Sequence, residues 1–166
     1  YFMKKGLRTM ADQEQTSDAV FNISRVYMKD LSLELPNAPE IFLEAGTPET
    51  NVELGVQTQS LQNDHYEVIA SATITTKVNQ KVLFLVEGKQ AGIFEIRGVP
   101  AEQLEPLLEI VGAGIVYPYL RANLADAITR ASLPPIHLTE VNFQALYEAK
   151  KSSPAQPNGA ASYSLQ

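Results

Sequence analysis

A long alternation of apolar and polar residues from Phe21 to Leu35 constrains the fold of this 166-residue chain more than any other feature. Counting by twos along an extended strand separates a mainly apolar side from a polar, acidic one. The first side carries Phe21, Ile23, Arg25, Tyr27, Lys29, Leu31, Leu33 and Leu35. The second carries Asn22, Ser24, Met28, Asp30, Ser32 and Glu34. We therefore predict a strand with one face on a core and one in water, ended by the prolines at 36 and 39, which lack the N–H that a strand ladder needs.

Three further strands are predicted before the periodicity becomes helical. They span 51–59, 66–78 and 81–94, and the short connection between the last two predicts a hairpin. Helical spacing of apolar residues then begins after Pro100 and returns at about 115–131 and 141–150. Strands followed by helices predict an α+β fold, a four-stranded antiparallel sheet with helices packed on one face.

The chain is expected to form one domain. Residues 20–150 contain the periodic segments, and a chain of 166 residues is long enough for a single core. Residues 1–19 are expected to be disordered or not native to the chain. Residues 151–166, rich in Ser, Pro, Asn, Gly and Ala, are expected to be a flexible tail.

Composition excludes several classes of function. The chain has no cysteine, which removes disulfides, thiolate catalysis and cysteine-bound zinc. A net charge of −6 argues against nucleic acid as a partner, since phosphate binding relies on clustered Lys and Arg. No apolar run reaches the roughly 20 residues that span a membrane, so we expect a cytoplasmic protein without membrane insertion. The two histidines, His65 and His137, lack metal-ligand spacing, and no cofactor, metal or catalytic residue is predicted.

Four blocks of sequence, taken in order between about Phe21 and Tyr147, resemble the bacterial protein-export chaperones of the SecB family. The blocks are Arg-Val-Tyr-Met-Lys-Asp-Leu-Ser-Leu-Glu-Leu-Pro-Asn-Ala-Pro from Arg25, Gly-Ile-Phe from Gly92, Tyr-Pro-Tyr-Leu-Arg from Tyr117 and Leu-Thr-Glu-Val-Asn-Phe from Leu138. The family more often has Phe-Pro-Tyr-Ala-Arg and Leu-Ala-Pro-Val-Asn-Phe at the last two places. Tyr117, Leu120 and Glu140 are therefore mild departures that leave the pattern readable.

The resemblance implies an ATP-independent chaperone, or holdase. Such a protein binds unfolded precursor proteins, keeps them competent for export and delivers them to the translocation motor SecA. It also implies a homotetramer, a dimer of dimers in which long helices lie between two eight-stranded sheets.

Four residues match the family's SecA-docking positions: Asp30, Glu34, Leu85 and Glu87. Independently, alternation turns the two on the first strand away from its apolar side. On the fourth strand, Val82, Phe84 and Val86 form the better core row, which turns Leu83, Leu85 and Glu87 outward. An ordinary solvated sheet face with a few carboxylates is the alternative interpretation.

Two further sets of residues complete the predicted surfaces. A client-peptide groove would be lined by Pro36, Pro39, Ile41, Phe42, Leu133, Ile136, Leu138, Phe143 and Tyr147, because a surface for unfolded chains needs exposed apolar area. Burial under loops is the alternative for each of them. The long helix carries more apolar contour than one sheet needs, so an oligomer interface is expected at Val86, Gly88, Gln90, Val116, Leu120, Leu124 and Ile128.

Three other functions stay open at this level. The fold is compatible with a small ligand-binding α+β enzyme, a hydrolase or an isomerase. A SecB-like chaperone of a toxin–antitoxin module and a client-independent oligomeric scaffold are also compatible with the sequence.

Overall fold

A computed structural model describes residues 18–153 and 160–163. Five antiparallel strands form one sheet in the order β1-β4-β3-β2-β5. The strands are β1 (Val20–Glu34), β2 (Glu49–Ser60), β3 (His65–Val78), β4 (Lys81–Arg97) and β5 (Ala160–Tyr163). The helices are a 3₁₀ turn (Glu40–Leu43), α1 (Ala101–Pro106), a π-helical turn (Leu107–Gly112), α2 (Ala113–Arg130) and α3 (Phe143–Ser152).

The predicted α+β architecture is confirmed: four long strands form an antiparallel sheet with helices on one face. The second, third and fourth strands lie where alternation places them, within about three residues at each end. Toward the C-terminus, α3 continues to Ser152 and β5 pairs with β2 opposite residues 52–55. The predicted N-terminal segment lies almost entirely outside the described residues.

β1 is bulged twice, which corrects the predicted faces. Ile23 lies opposite Phe94 but Arg25 lies opposite Ile93, so Ser24 is an extra residue. Lys29 is the second extra residue, between the pairs formed by residues 28 and 30. Between the bulges the alternation inverts, so Arg25 and Tyr27 point away from the helices. The prediction that Tyr27 faces the core was therefore wrong.

A bulge in β4 makes a second correction. Thr76 lies opposite Phe84 and Lys77 opposite Val82, so Leu83 is the extra residue. Leu83 packs against the core cluster, whereas Val82 shares a pair with the exposed Lys77. The prediction that Val82 belongs to the core row and Leu83 points outward was wrong, while Phe84 and Val86 are buried as expected.

α2 lies directly on β4 because two glycines leave room for it. A Cβ atom on Gly92 would lie 2.8 Å from Val116 Cγ2, and one on Gly88 would lie 2.9 Å from Leu124 Cδ2. Beside Gly92, the fully buried Phe94 ring meets the ring of Phe21 at a centroid distance of 5.4 Å. The core is thus the layer between the inner face of the sheet, which the helices cover, and α2.

Candidate functional site

The outer face of the sheet, opposite the helices, carries a row of acidic residues on β1 and β4. Asp30 lies opposite Lys89, and Glu34 lies opposite Leu85. Ser32, between them on the same face, lies opposite Glu87. The three carboxylates are exposed and Leu85 is half-buried. We call Asp30, Glu34, Leu85 and Glu87 the acidic surface; they are the four residues of the predicted SecA-docking site, and they share one face.

A buried carboxylate lies on the same outer face. Glu67 of β3 is only 2% exposed, although none of the described helices covers this side. Both of its carboxylate oxygens accept hydrogen bonds from Lys29 Nζ at 2.8 Å. The hydroxyl of Tyr27 and the amide of Gln59 donate to it as well. Strands on both sides of β3 thus supply the groups that enclose this charge.

The charge distribution in this cluster follows from its contacts. Burial raises the pKa of Glu67, but hydrogen bonds from Lys29, Tyr27 and Gln59 and the charge of Lys29 outweigh burial and hold that pKa below its usual value. The hydrogen bond to Glu67, burial and the negative charge of Glu67 together raise the pKa of Tyr27 to about 12. Glu67 is therefore ionised and Tyr27 neutral at physiological pH.

The first part of the predicted client groove is an exposed loop. Asn37 Nδ2 donates to Val82 O at 3.0 Å, which fixes the loop to the hairpin end of the sheet. On it Phe42 is 50% exposed and the next residue, Leu43, is 90% exposed. Ile41 is buried instead and anchors the 3₁₀ turn. Pro36 and Pro39 flank the turn at the surface.

The second part of the predicted groove packs inward. Phe143 meets Tyr117 edge to face at a centroid distance of 5.4 Å, and the Tyr117 hydroxyl donates to Thr139 O at 2.7 Å. Leu138, Phe143 and Tyr147 are buried, and Leu133 and Ile136 are half-buried against the core. Within the single chain, the nine predicted groove residues therefore separate into an exposed loop and a largely buried C-terminal segment.

The seven residues predicted at an oligomer interface are all buried within the single chain. They are Val86, Gly88, Gln90, Val116, Leu120, Leu124 and Ile128, and they form the contact between β4 and α2. Gln90 accepts a hydrogen bond from Asn123 Nδ2 at 2.7 Å. The chain's own sheet already covers the apolar contour of the helix at these positions, and a role at an oligomer interface stays a prediction.

A different apolar surface remains open on the helical side. Val111 and Tyr119, on the opposite side of the helix, are 45% and 52% exposed. Pro118 and Ala122 are exposed as well, and space around a Cβ atom on Gly114 is empty to 4 Å. We call Val111, Gly114, Pro118, Tyr119 and Ala122 the α2 stripe. Beside it on β1, Met28 is 44% exposed and lies opposite Gln90, above which Asn123 sits.

Sequence reasoning missed Leu43, Glu67 and the α2 stripe. Leu43 belongs to a single 3₁₀ turn, which has no extended periodicity to reveal its exposure. Glu67 occupies a position that alternation correctly turns away from the helices, but its burial depends on side chains two strands away. The interruptions at Arg25 and Lys29 were the available signal, because an extra residue reverses the face of the residues that follow it.

The described residues, 18–153 and 160–163, include no group of three or more His, Asp or Glu placed to hold a metal ion. Over the same residues, no helix is long and apolar enough to cross a membrane.

Known proteins include close sequence relatives of this chain. Residues 13–154 match the sequence pattern of the family described as preprotein translocase subunit SecB. The chain is 58% identical over 153 residues to the protein-export protein SecB of Bordetella pertussis, which covers 89% of this chain and 87% of that one. It is 56% identical over 149 residues to the protein of the same name from Methylibium petroleiphilum, covering 90% and 91% of the two chains.

Among solved structures, a SecB-like chaperone of Mycobacterium tuberculosis in complex with a ChAD peptide from an antitoxin has a similar fold. The TM-score is 0.61 at 16% identity, over 73% of this chain and 90% of that one. At that identity the likeness concerns the fold alone.

Proposed function

The chain belongs to the SecB family of protein-export chaperones, and from that premise we propose that it holds unfolded precursor proteins without nucleotide and passes them to the SecA motor in the cytoplasm. The 58% identity to a protein-export protein carries this proposal. In this proposal an apolar surface binds precursors and the acidic surface binds SecA.

Precursor capture is assigned first to the exposed loop. Phe42 and Leu43 present apolar side chains to water at 50% and 90% exposure, on a turn tied to the end of the sheet. An exposed apolar surface with no sequence-specific polar contacts suits partners that share only their unfolded state. The half-buried Leu133 and Ile136 extend this surface if a bound chain displaces the segment that carries them.

Capture is tested by delaying the folding of a slowly folding precursor without ATP. The double variant Phe42→Ala/Leu43→Ser should hold precursor more weakly, because truncating an apolar side chain that is buried against a client removes about 1.5–3 kcal/mol. Leu61→Ser is the matched control, since Leu61 is also exposed but lies in the β2–β3 turn. Equal loss in both variants, or in neither, would remove the loop from the client surface.

SecA docking is assigned to the acidic surface. Its carboxylates are exposed and lie where β1 and β4 pair without a bulge, from Asp30 to Glu34. Leu85 supplies an apolar contact among them. In the family, the docking partner is the basic, zinc-bearing tail of SecA, which complements such a surface. Exposed ion pairs contribute only about 0.2–1 kcal/mol each, so single changes are expected to be mild.

The docking test neutralises three charges together. Asp30→Asn, Glu34→Gln and Glu87→Gln should abolish SecA docking in low salt and leave precursor holding intact. Wild-type docking should also weaken as salt rises, because exposed charges are screened beyond about 8–10 Å. If the triple variant docks with wild-type affinity, the outer face is an ordinary solvated surface.

A homotetramer is the assembly proposed for this chain, with the α2 stripe as its contact between helices. The stripe combines exposed apolar groups with small residues that permit close helix approach, and Met28 extends it onto β1. Tyr119→Asp should lower the mass in solution toward the 18.2 kDa monomer. Leu61→Asp, in the β2–β3 turn away from the stripe, is a control for a charge placed on another exposed apolar residue.

The alternatives have less support. The antitoxin-associated relative shares 16% identity and the export proteins 54–58%, so export is favoured over a toxin–antitoxin role. The curated relatives are named for export rather than for a reaction, which does not favour a hydrolase or isomerase.

A further inference from the structure

The buried Glu67 joins β3 to an edge strand that it does not adjoin. In the sheet, β4 separates β3 from β1, yet Tyr27 and Lys29 of β1 both reach the Glu67 carboxylate. On the intervening β4, Ala91 lies opposite Tyr27, is fully buried and offers only a methyl group. The contact spans a strand because a small residue stands beneath it.

Both partners on β1 depend on the bulges. Tyr27 faces outward only because the extra residue Ser24 inverts the alternation before it. Lys29 is itself the second extra residue. A regular strand that began from the same Ile23–Phe94 pair would turn Arg25, Tyr27 and Lys29 toward α2 and leave Glu67 without these partners.

The two bulges leave the outward direction of the acidic residues unchanged, but they move them along β4 by two residues. In the bulged register Asp30 faces Lys89 and Glu34 faces Leu85. In the regular register, counted from the Ile23–Phe94 pair, Asp30 would face Glu87. That arrangement places two like charges side by side, which is unfavourable in a cross-strand pair.

We propose that Glu67, through Tyr27 and Lys29, is a positioning residue that selects the bulged register of β1 and thereby sets the spacing of the acidic surface. The charge on Glu67 favours the register in which its two donors are within reach. Removing that charge allows β1 to move to the regular register, which places Asp30 opposite Glu87. The effect on SecA docking rests on the proposed function, whereas the effect on register does not.

Register is measured by disulfide trapping, since the chain has no cysteine of its own. Ser32→Cys/Glu87→Cys places two thiols directly opposite in the bulged register, and Asp30→Cys/Glu87→Cys does so in the regular one. With Glu67 intact, the first pair should form a disulfide on mild oxidation and the second should not. With Glu67→Gln, the second disulfide should appear and the first should decrease.

Two further variants separate positioning from loss of stability. Tyr27→Phe/Lys29→Met removes the donors and keeps Glu67, and it should shift the trapped register in the same direction. Glu109→Gln is the matched control: Glu109 is buried too and accepts from Lys150 at 2.7 Å, but it lies on the helical side. It should leave the trapping pattern as in the wild type. An unchanged pattern in both register variants would overturn the proposal.

SecA docking provides the second measurement. Glu67→Gln should weaken docking about tenfold, the effect of misaligning a few exposed ion pairs, and leave precursor holding unchanged. If Asp30→Asn/Glu34→Gln/Glu87→Gln also docks normally, the acidic surface is not the docking site and the proposed function fails there. If that triple variant fails to dock and Glu67→Gln shifts the register without weakening docking, Glu67 positions β1 but not the docking surface.

Discussion

The two faces of the sheet are held by different physical means. On the inner face, Gly88 and Gly92 admit α2 and the buried Phe94 ring packs beside Gly92, so shape and apolar burial determine the contact. On the outer face, a single ionised carboxylate collects donors from two other strands. Apolar packing tolerates any side chain of suitable size and shape. A buried charge requires particular hydrogen-bond donors at fixed positions. The inner face therefore fixes how close α2 lies, and the outer face fixes which residues stand side by side.

The largest effect is expected on the inner face. Phe94→Ala should lower the free energy of unfolding by about 3–5 kcal/mol, because it removes a fully buried ring and leaves a cavity. Urea unfolding at one protein concentration measures it. Ile93→Ala is the control on the opposite face, where the half-buried side chain should contribute clearly less. Similar losses in the two variants would remove the distinction between the faces.

A smaller loss is expected on the outer face. Glu67→Gln should lower the free energy of unfolding by about 1–3 kcal/mol, the usual effect of weakening hydrogen bonds to a buried charged group. Lys29 is 38% exposed, so its ammonium can turn to water and limit the loss. Glu53→Gln, exposed on β2, should change stability by less than about 0.5 kcal/mol when both are unfolded in urea. Equal effects would mean that burial of Glu67 adds nothing.

Acid should distinguish the faces through the same residue. The folded-state pKa of Glu67 lies below the ordinary value of 4.5, so its contribution is present above pH 4.5 and is lost as pH falls through the folded-state pKa. We expect the wild type to lose more stability than Glu67→Gln when urea unfolding is repeated at successively lower pH below 4.5. Parallel pH profiles for the two proteins would contradict this. Phe94→Ala should keep the wild-type acid dependence.

The smallest effect belongs to the exposed part of the outer face. Replacing Asp30, Glu34 and Glu87 by their amides should change the free energy of unfolding by less than about 0.5 kcal/mol per site, since exposed charges away from buried partners contribute little. Thermal unfolding of the triple variant checks this. A large loss would show that these carboxylates support the fold rather than remain free for a partner.

The sequence predicts the regular parts of the fold and not the irregular ones. β2 and β3 follow strict alternation, so counting by twos identifies their buried faces. In β1, an extra residue at Ser24 inverts the count and another at Lys29 restores it, and alternation alone cannot locate either. The outward placement of Asp30 and Glu34 could be predicted because the two inversions cancel. Their partners on β4 could not, because the register had moved by two residues.

The exposed side of α2 could not be located from the sequence, for a related reason. Periodicity identifies which residues of a helix are apolar but not how much of that area its own sheet covers. Leu120 and Leu124 lie against Gly88 and are buried within one chain, which their spacing in the sequence does not reveal. Tyr119 is a large, largely apolar residue of the same helix, but it lies on the side that the sheet does not cover. Only the closeness of α2 to β4, which two glycines permit, separates them.

The strand order has a consequence for how the protein is made. Val20 pairs with Arg97 and Glu34 with Leu85, so the first strand to leave the ribosome is joined only after the fourth has been synthesised. β2, β3 and β4 can add hairpin by hairpin, but β1 must wait while the ribosome adds residues at about 5–20 per second. Ribosome-bound chains that stop before Lys81 should be cut by protease within β1, and chains long enough to expose residue 97 should not. During that interval Leu31 and Leu33 are unpaired and exposed to water. The nascent chaperone then exposes apolar segments, as its unfolded clients do.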